Sequence, residues 1–301
     1  MRLRHRSLPA AGLCAALALG LLGGRSAAAF ESFVGTRALG MGGGLRGAAT
    51  GGSGPLLNPS GMSLIQSYNV EADYFFARVG DEHFLHASIV DSTSGYKLAG
   101  GLYYTYHTDN PDGPISGHGH EAGLALSLPL GDHVAVGGTL KYFRLGGDQA
   151  TPASSGGLTF DAGATIRITE SLSLGIVGAN LNRLGLAQAP QALGYGLAFS
   201  PGADLLLVLD GVTNLTADPP LPRKGTRLSA GGELLLAKKV SLRAGGGYDG
   251  VSQNGFFTAG IAAVSEAGTL DFGVRQDAFS HGAAPRETIL AVSFRLFVPQ
   301  P

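Results

Sequence analysis

The sequence predicts an all-β protein: a transmembrane antiparallel β-barrel of about 14 strands with an N-terminal segment that plugs its lumen. Residues 65–298 divide into about fourteen short segments in which apolar residues alternate with small or polar ones. The connections between these segments alternate between short and long. After residue 29, no stretch has the roughly 18 consecutive apolar residues that a membrane-spanning helix requires.

Residues 1–29 have the features of a secretory signal peptide. A basic head containing Arg2, Arg4 and Arg6 precedes an apolar run at 8–24, and small residues at 26–29 offer a cleavage site before Phe30. Cys14 lies inside this segment, so the exported chain has no cysteine for disulfides, zinc thiolates or nucleophilic catalysis. Export combined with a barrel predicts the bacterial outer membrane as the destination, with its lipid as the surroundings.

The charge balance argues against nucleic acid as a partner. Charged residues make up only 14% of the chain, and hydrophobic residues make up 44%. Without residues 1–29 the chain has 17 basic and 22 acidic residues, which gives a net charge near −5. Nucleic-acid-binding proteins attract phosphates with an excess of basic residues, and this chain lacks that excess.

Residues 30–64 differ from the rest because they are rich in Gly, Ala and Ser and show no sustained period. We expect this segment to fold as a plug, or hatch, inside the barrel of residues 65–298. The alternative is a disordered periplasmic leader. The plug is favoured because a free tail would not carry so many large apolar residues, namely Leu39, Met41, Leu45, Leu56, Leu57 and Met62.

Alternation along the predicted strands separates an apolar face from a polar one. In segment 158–167, for example, Leu158, Phe160 and Ile166 face away from Asp161 and Arg167. A soluble β-sandwich shows such alternation too, but here the polar faces are rich in Gly, Ser and Thr rather than in Lys and Glu. Aromatic residues also gather near strand ends, as they do at membrane interfaces: Tyr74, Phe76, Tyr104, Tyr106, Tyr142 and Phe143.

The connections assign the two ends of the barrel. Short connections at 91–95, 129–132, 169–171, 201–203, 237–239 and 266–268 are expected on the periplasmic side, with the termini. Longer ones at 107–120, 146–157, 182–192, 216–225, 249–254 and 277–285 are expected on the extracellular side. Only the first hairpin, around 78–81, is short where a long loop is expected.

Two motifs in the hatch carry a resemblance to a known group. They are Gly35-Thr36-Arg37-Ala38-Leu39-Gly40-Met41-Gly42-Gly43 and Asn58-Pro59-Ser60-Gly61-Met62. Together they resemble the N-terminal hatch of the FadL-like outer-membrane superfamily, which includes fatty-acid and hydrocarbon transporters and the PorV/PorQ proteins. The hatch motif residues are Gly35, Gly40, Gly42, Gly43, Asn58, Pro59 and Gly61. The acidic residues that the family usually has between the motifs are absent here.

The resemblance implies two functions, and the sequence leaves both open. The first is passive transport or binding of a fatty-acid-like hydrophobic small molecule, with the hatch as the gate. The second is a PorV-like scaffold or carrier that acts with a secreted or surface protein partner. The second alternative gains weight because loops of about ten residues leave little protein to build an extracellular cap.

The predicted inward face offers ligand candidates. Lys97, Lys141 and Arg243 could hold a carboxylate head group, although inward charges of both signs usually pair with each other. Phe75 and Tyr103 are inward aromatics that could line an apolar pocket.

No motif predicts an enzyme, a cofactor or a metal site. The glycines at 40–44 lack the preceding strand and the Lys-Ser/Thr ending of a nucleotide loop. His118 and His120 could share one face of an extended segment, but no third metal ligand is evident, and an exposed polar loop is favoured. No Ser–His–acid or paired-carboxylate motif stands out, so we expect a non-enzymatic protein.

Overall fold

The computed structural model describes residues 33–93, 98–108, 117–147, 156–217, 224–281 and 285–298. Fourteen antiparallel strands form one closed barrel. The strands are β1 (Tyr68–Ala77), β2 (Glu82–Asp91), β3 (Ala99–Thr108), β4 (Gly117–Leu130), β5 (Val134–Gly147), β6 (Gly156–Arg167), β7 (Leu172–Ala179), β8 (Ala192–Gly202), β9 (Leu205–Asn214), β10 (Thr226–Leu236), β11 (Val240–Asp249), β12 (Asn254–Val264), β13 (Gly268–Ser280) and β14 (Thr288–Phe297).

The barrel closes where the first strand pairs with the last. Each strand hydrogen-bonds to its neighbours in sequence, and β1 pairs with both β2 and β14. At this seam Glu71 lies opposite Arg295, and the guanidinium donates to both carboxylate oxygens at 2.9 and 2.7 Å. Closure leaves no open sheet edge, which a bilayer could not satisfy with hydrogen bonds. The predicted closed barrel of fourteen strands is confirmed.

The two ends of the barrel differ as predicted. At one end, which we call the short-turn end, β4 and β5 are joined by three residues and β8 and β9 by two. At the other, the long-loop end, β7 and β8 are separated by residues 180–191 and β9 and β10 by 215–225. Two hairpins at the long-loop end are short: 78–81, as predicted, and 250–253, where the sequence wrongly predicted a longer loop.

The outer surface is a belt of large apolar side chains. Alternate residues of each strand point outward, and leucines such as Leu102, Leu124 and Leu209 are about half exposed there. Soluble monomers rarely expose a continuous apolar surface of this extent, whereas lipid-facing barrels require one. Phe143 is a correction to the predicted aromatic girdle: because its neighbour Tyr142 points outward, Phe143 points inward and is buried.

Residues 33–64 lie inside the lumen as a hatch. They form two short α-helices, α1 (Thr36–Leu39) and α2 (Ser53–Leu57), and two 3₁₀ turns, Arg46–Ala48 and Pro59–Leu64. Leu39, Met41 and Leu45 are buried against wall residues such as Phe75 and Val208. Burial of these apolar side chains holds the segment in the lumen. Within the described chain, none of the helices has the length and apolarity needed to cross a membrane.

Candidate functional site in the barrel lumen

The hatch separates two cavities along the barrel. The upper cavity, toward the long-loop end, has a volume of about 60 Å³, and the lower cavity, toward the short-turn end, has about 340 Å³. Arg46 lines the upper cavity and Ala48 lines the lower one. The 3₁₀ turn Arg46–Ala48 therefore forms part of the barrier between them.

The upper cavity is lined by a mixture of apolar and paired polar side chains. Its apolar residues come from the hatch and the wall: Phe33, Leu56, Leu57, Phe143, Val177 and Val212. Its charged residues are Arg46, Glu121, Lys141 and Asp161. An apolar lining with a few fixed polar groups is typical of small-molecule sites.

Arg46 is fixed to the wall by one carboxylate on β9. The backbone N–H of Arg46 donates to Oδ2 of Asp210 at 2.8 Å, and its guanidinium donates to Oδ1 of the same residue. Both side chains are buried. A charge-assisted pair of this kind is strong because little water competes for its hydrogen bonds. We call this pair the hatch latch.

The Asn-Pro-Ser-Gly motif stabilises the latch through a hydrogen bond to the backbone of Arg46. Asn58 caps the 3₁₀ turn Pro59–Leu64 by accepting the N–H of Ser60 at 3.3 Å, and its Nδ2 donates to the carbonyl oxygen of Arg46 at 3.0 Å. Nδ2 also donates to Oγ1 of Thr165 on β6 at 3.2 Å. Gly61 packs so closely that an added Cβ would lie 2.1 Å from the oxygen of Ala49. The motif thus stabilises the hatch from within, with Pro59 starting the turn.

The glycine motif lets the hatch backbone reach the wall. Gly35, Gly42 and Gly43 have φ values of 80°, 78° and 78°, which residues other than glycine rarely adopt. The N–H of Gly42 donates to Oγ1 of Thr258 at 2.9 Å, and Gly40 lies against Arg243. Gly40 and Gly42 are therefore structural contacts between the hatch and strands β11 and β12.

The structure separates two of the residues that the sequence suggested as head-group contacts, Lys141 and Arg243. Lys141 lines the upper cavity, where its Nζ lies 2.7 Å from Oδ1 of Asp161. Arg243 instead pairs with Glu233 and Asp271 at 2.5 and 2.6 Å. Lys97 lies outside the described residues. Each of the two described cations is already neutralised by a carboxylate.

The two predicted aromatic residues lie inside but do not border the upper cavity. The Phe75 ring packs against Phe33, with centroids 4.6 Å apart. Tyr103 donates its hydroxyl to Glu121. Sequence reasoning missed Phe33, Arg46 and Asp210. Asp210 had a detectable signal, because it is an inward acid in the otherwise apolar run of β9.

The structure gives no support to a metal site at His118 and His120. Their rings are 5.6 Å apart, but both lie on the outer face, whereas Glu121 points into the lumen. In the described ranges, no group of three or more His, Cys, Asp or Glu residues is placed to hold a metal ion.

Comparison with solved structures identifies proteins of the same fold. Neither a family model nor a curated protein matches the sequence. The toluene transporter TbuX of Ralstonia pickettii is similar with a TM-score of 0.65 and 13% identity, covering 88% of this chain and 98% of TbuX. A Pseudomonas aeruginosa FadL homologue gives 0.63 and 12%, covering 87% and 98%. The toluene transporter TodX of Pseudomonas putida gives 0.61 and 11%, covering 87% and 96%.

The architecture of these structures agrees with the one described above. Identities of 11–13% establish a common fold and no more. The resemblance first seen in the hatch motifs is confirmed at the level of the fold: the chain has the same β-barrel fold as the FadL homologue and the two toluene transporters.

Proposed function

We propose that this protein lies in the bacterial outer membrane and lets a small hydrophobic molecule pass through its lumen, with the hatch as the gate. The observation that carries the proposal is the pair of cavities on opposite sides of the hatch, inside a barrel with an apolar outer belt. Similarity to two proteins described as toluene transporters supports the same function.

The lining of the upper cavity favours an uncharged cargo. Lys141 pairs with Asp161 and Arg46 pairs with Asp210, so a carboxylate head group would have to displace a buried carboxylate to reach either cation. Breaking a buried ion pair is costly. Aromatic hydrocarbons or neutral alcohols therefore fit this lining better than the fatty-acid-like molecule that the family resemblance implies.

Passage requires the hatch to move. The upper cavity of about 60 Å³ is well below the roughly 300–1,000 Å³ of typical ligand sites. The lower cavity of about 340 Å³ offers space into which the Arg46–Ala48 turn could shift. Such a movement has to break the latch between Arg46 and Asp210, along with the hydrogen bond from Ser173 to the carbonyl of Gly47.

Uptake by reconstituted vesicles tests the proposal. Purified protein is placed in vesicles that contain lipopolysaccharide, which slows the entry of hydrophobic molecules. There it is expected to accelerate entry of an alkylbenzene and to leave uptake of a fatty-acid anion unaffected. Vesicles that contain the same protein after heat denaturation serve as the control. Equal rates with folded and denatured protein would remove the transport function. Faster uptake of the fatty acid alone would overturn the choice of cargo.

A scaffold role is the second candidate, and the packing of the lumen favours it. Charged wall residues that face the hatch pair with each other or with the hatch, as in Glu71–Arg295 and Arg37–Glu233. A lumen packed this well makes the barrel rigid. Such a barrel could present its rim to a secreted or surface protein. Cross-linking in the intact outer membrane separates the two: a stoichiometric protein partner, together with no vesicle uptake, would favour the scaffold.

A further inference from the structure

Basic side chains occur at one place on the outer face of the barrel. Along β6–β14, the outward positions carry no Asp, Glu, His, Lys or Arg, within the part of these strands that is described. Along β1–β5 they carry Asp91 at the short-turn end and four basic residues near the long-loop end, namely His83, His118, His120 and Arg144. We call these four residues the basic rim patch.

Strand pairing brings the patch together. His120 lies between Tyr106 and Arg144, which are its direct partners on β3 and β5. One row closer to the rim, Thr108 lies between His83 and His118. Directly opposite residues of an antiparallel pair have Cβ atoms about 5 Å apart. The four basic residues therefore form one surface across four neighbouring strands.

Aromatic side chains set the depth of the patch at the edge of the apolar belt. The hydroxyl of Tyr74 lies 2.7 Å from Nδ1 of His83, and that of Tyr104 lies 2.6 Å from Nδ1 of His120. Farther from the rim on the same face are exposed leucines, including Leu124. Aromatic residues mark the membrane interface in barrels, so the patch lies at head-group level.

The hydrogen-bonding pattern leaves donors available at this surface. When Nδ1 of His120 accepts the Tyr104 hydroxyl proton, the neutral ring carries its own proton on Nε2 and donates from there. Arg144 adds a permanently charged, fork-shaped donor. Asp81 lies at the β2 edge of the patch, where its Oδ1 is 3.8 Å from Nε2 of His83, and its carboxylate adds negative charge beside that histidine. The donor-rich centre is thus His118, His120 and Arg144.

We infer that the basic rim patch binds the phosphate group of a membrane lipid head group. Arginine and histidine donors match phosphate oxygens, and the adjoining tyrosines and leucines provide the apolar surface that the acyl chains need. This inference rests on the membrane placement in the proposed function. It does not depend on what passes through the lumen.

Lipid binding in detergent tests the inference without any transport step. The purified barrel is mixed with bis-phosphorylated lipid A or with the same lipid after enzymatic removal of its phosphates, and bound lipid is counted by native mass spectrometry. The phosphorylated form is expected to bind at least about tenfold more tightly. Equal binding of the two forms would overturn the inference, and this comparison requires no variant.

Substitutions then locate the site. Arg144→Ala combined with His120→Gln is expected to weaken binding of the phosphorylated lipid about tenfold or more, and Arg144→Lys alone by less. Arg286→Ala is the matched control, because it removes another exposed arginine, just before β14, away from the patch. Unchanged binding in the double variant, or an equal loss in the control, would contradict the assignment. Normal vesicle uptake alongside failed lipid binding would refute this inference alone.

Discussion

Asp210 on β9 accepts hydrogen bonds from both the backbone N–H and the guanidinium of Arg46, so a single wall carboxylate binds the Arg46–Ala48 turn that lies between the two cavities. The Arg46–Ala48 turn also packs on β7 and β8, and the carbonyl of Gly47 accepts a hydrogen bond from Ser173, but the Asp210 carboxylate is the charged partner that holds it. The latch is therefore the place where small chemical changes should have the largest effect on passage.

Removing the latch carboxylate should open the barrier. We expect Asp210→Ala to speed uptake of a neutral aromatic into vesicles several-fold, because the turn loses two hydrogen bonds and leaves a buried guanidinium unpaired. Asp249→Ala is the control: Asp249 pairs with Arg227 on the adjacent strand and does not touch the hatch. Equal acceleration by both variants would point to general loosening of the barrel.

A larger residue on β7, next to the backbone of Arg46, should displace the hatch without altering any charge. At Gly175 an added Cβ would lie 2.0 Å from the oxygen of Arg46, so Gly175→Ala should cost about 1–3 kcal/mol of hatch packing. Faster tryptic cleavage within residues 33–64 of the folded barrel would report the displacement. Gly100→Ala, whose Cβ would meet nothing closer than 3.9 Å, should leave cleavage unchanged.

The ion pair in the upper cavity should matter for stability more than for cargo. We expect Lys141→Met to lower the free energy of unfolding by about 3 kcal/mol, because it leaves the buried carboxylate of Asp161 without its cation. Adding Asp161→Asn should recover most of this loss, and the double variant should still pass neutral cargo. Urea titration in detergent measures the first effect. Loss of neutral uptake in the stable double variant would show that the pair contacts cargo.

Placement of the outer belt in a bilayer makes the cost of a charge depend on its depth. Leu124→Arg, in the middle of β4, should reduce folding stability in lipid by about 2–4 kcal/mol, and Leu130→Arg, at the end of the same strand, by about 0–1 kcal/mol. Both leucines are outward and about half exposed, so each controls for the other. Equal costs measured in lipid would argue against the membrane placement.

The wall of the barrel was largely predictable from sequence, whereas the hatch was not. Lipid on one side and the lumen on the other impose a two-residue period, which is why Asp161 and Arg243 were correctly placed inside. The hatch has no such period, and its path depends on single contacts between distant residues. Arg46 and Asp210 are 164 positions apart, and no local pattern links them. Phe143 was wrongly assigned to the aromatic girdle because it is an aromatic residue near a strand end. Its position next to the outward Tyr142 in the same strand places it inward.

The seam between β1 and β14 lies beside a contact that holds the hatch. Thr36 of the hatch is held by Asp73 on the first strand, at 3.0 Å from its N–H and 2.8 Å from its hydroxyl. Two residues before Asp73, Glu71 bonds to Arg295 on the last strand, across a separation of 224 positions. Docking of the hatch and closure of the cylinder therefore meet on one strand: β1 holds Thr36 through Asp73 and the last strand through Glu71. A change that shifts β1 against β14 is expected to disturb both connections at once.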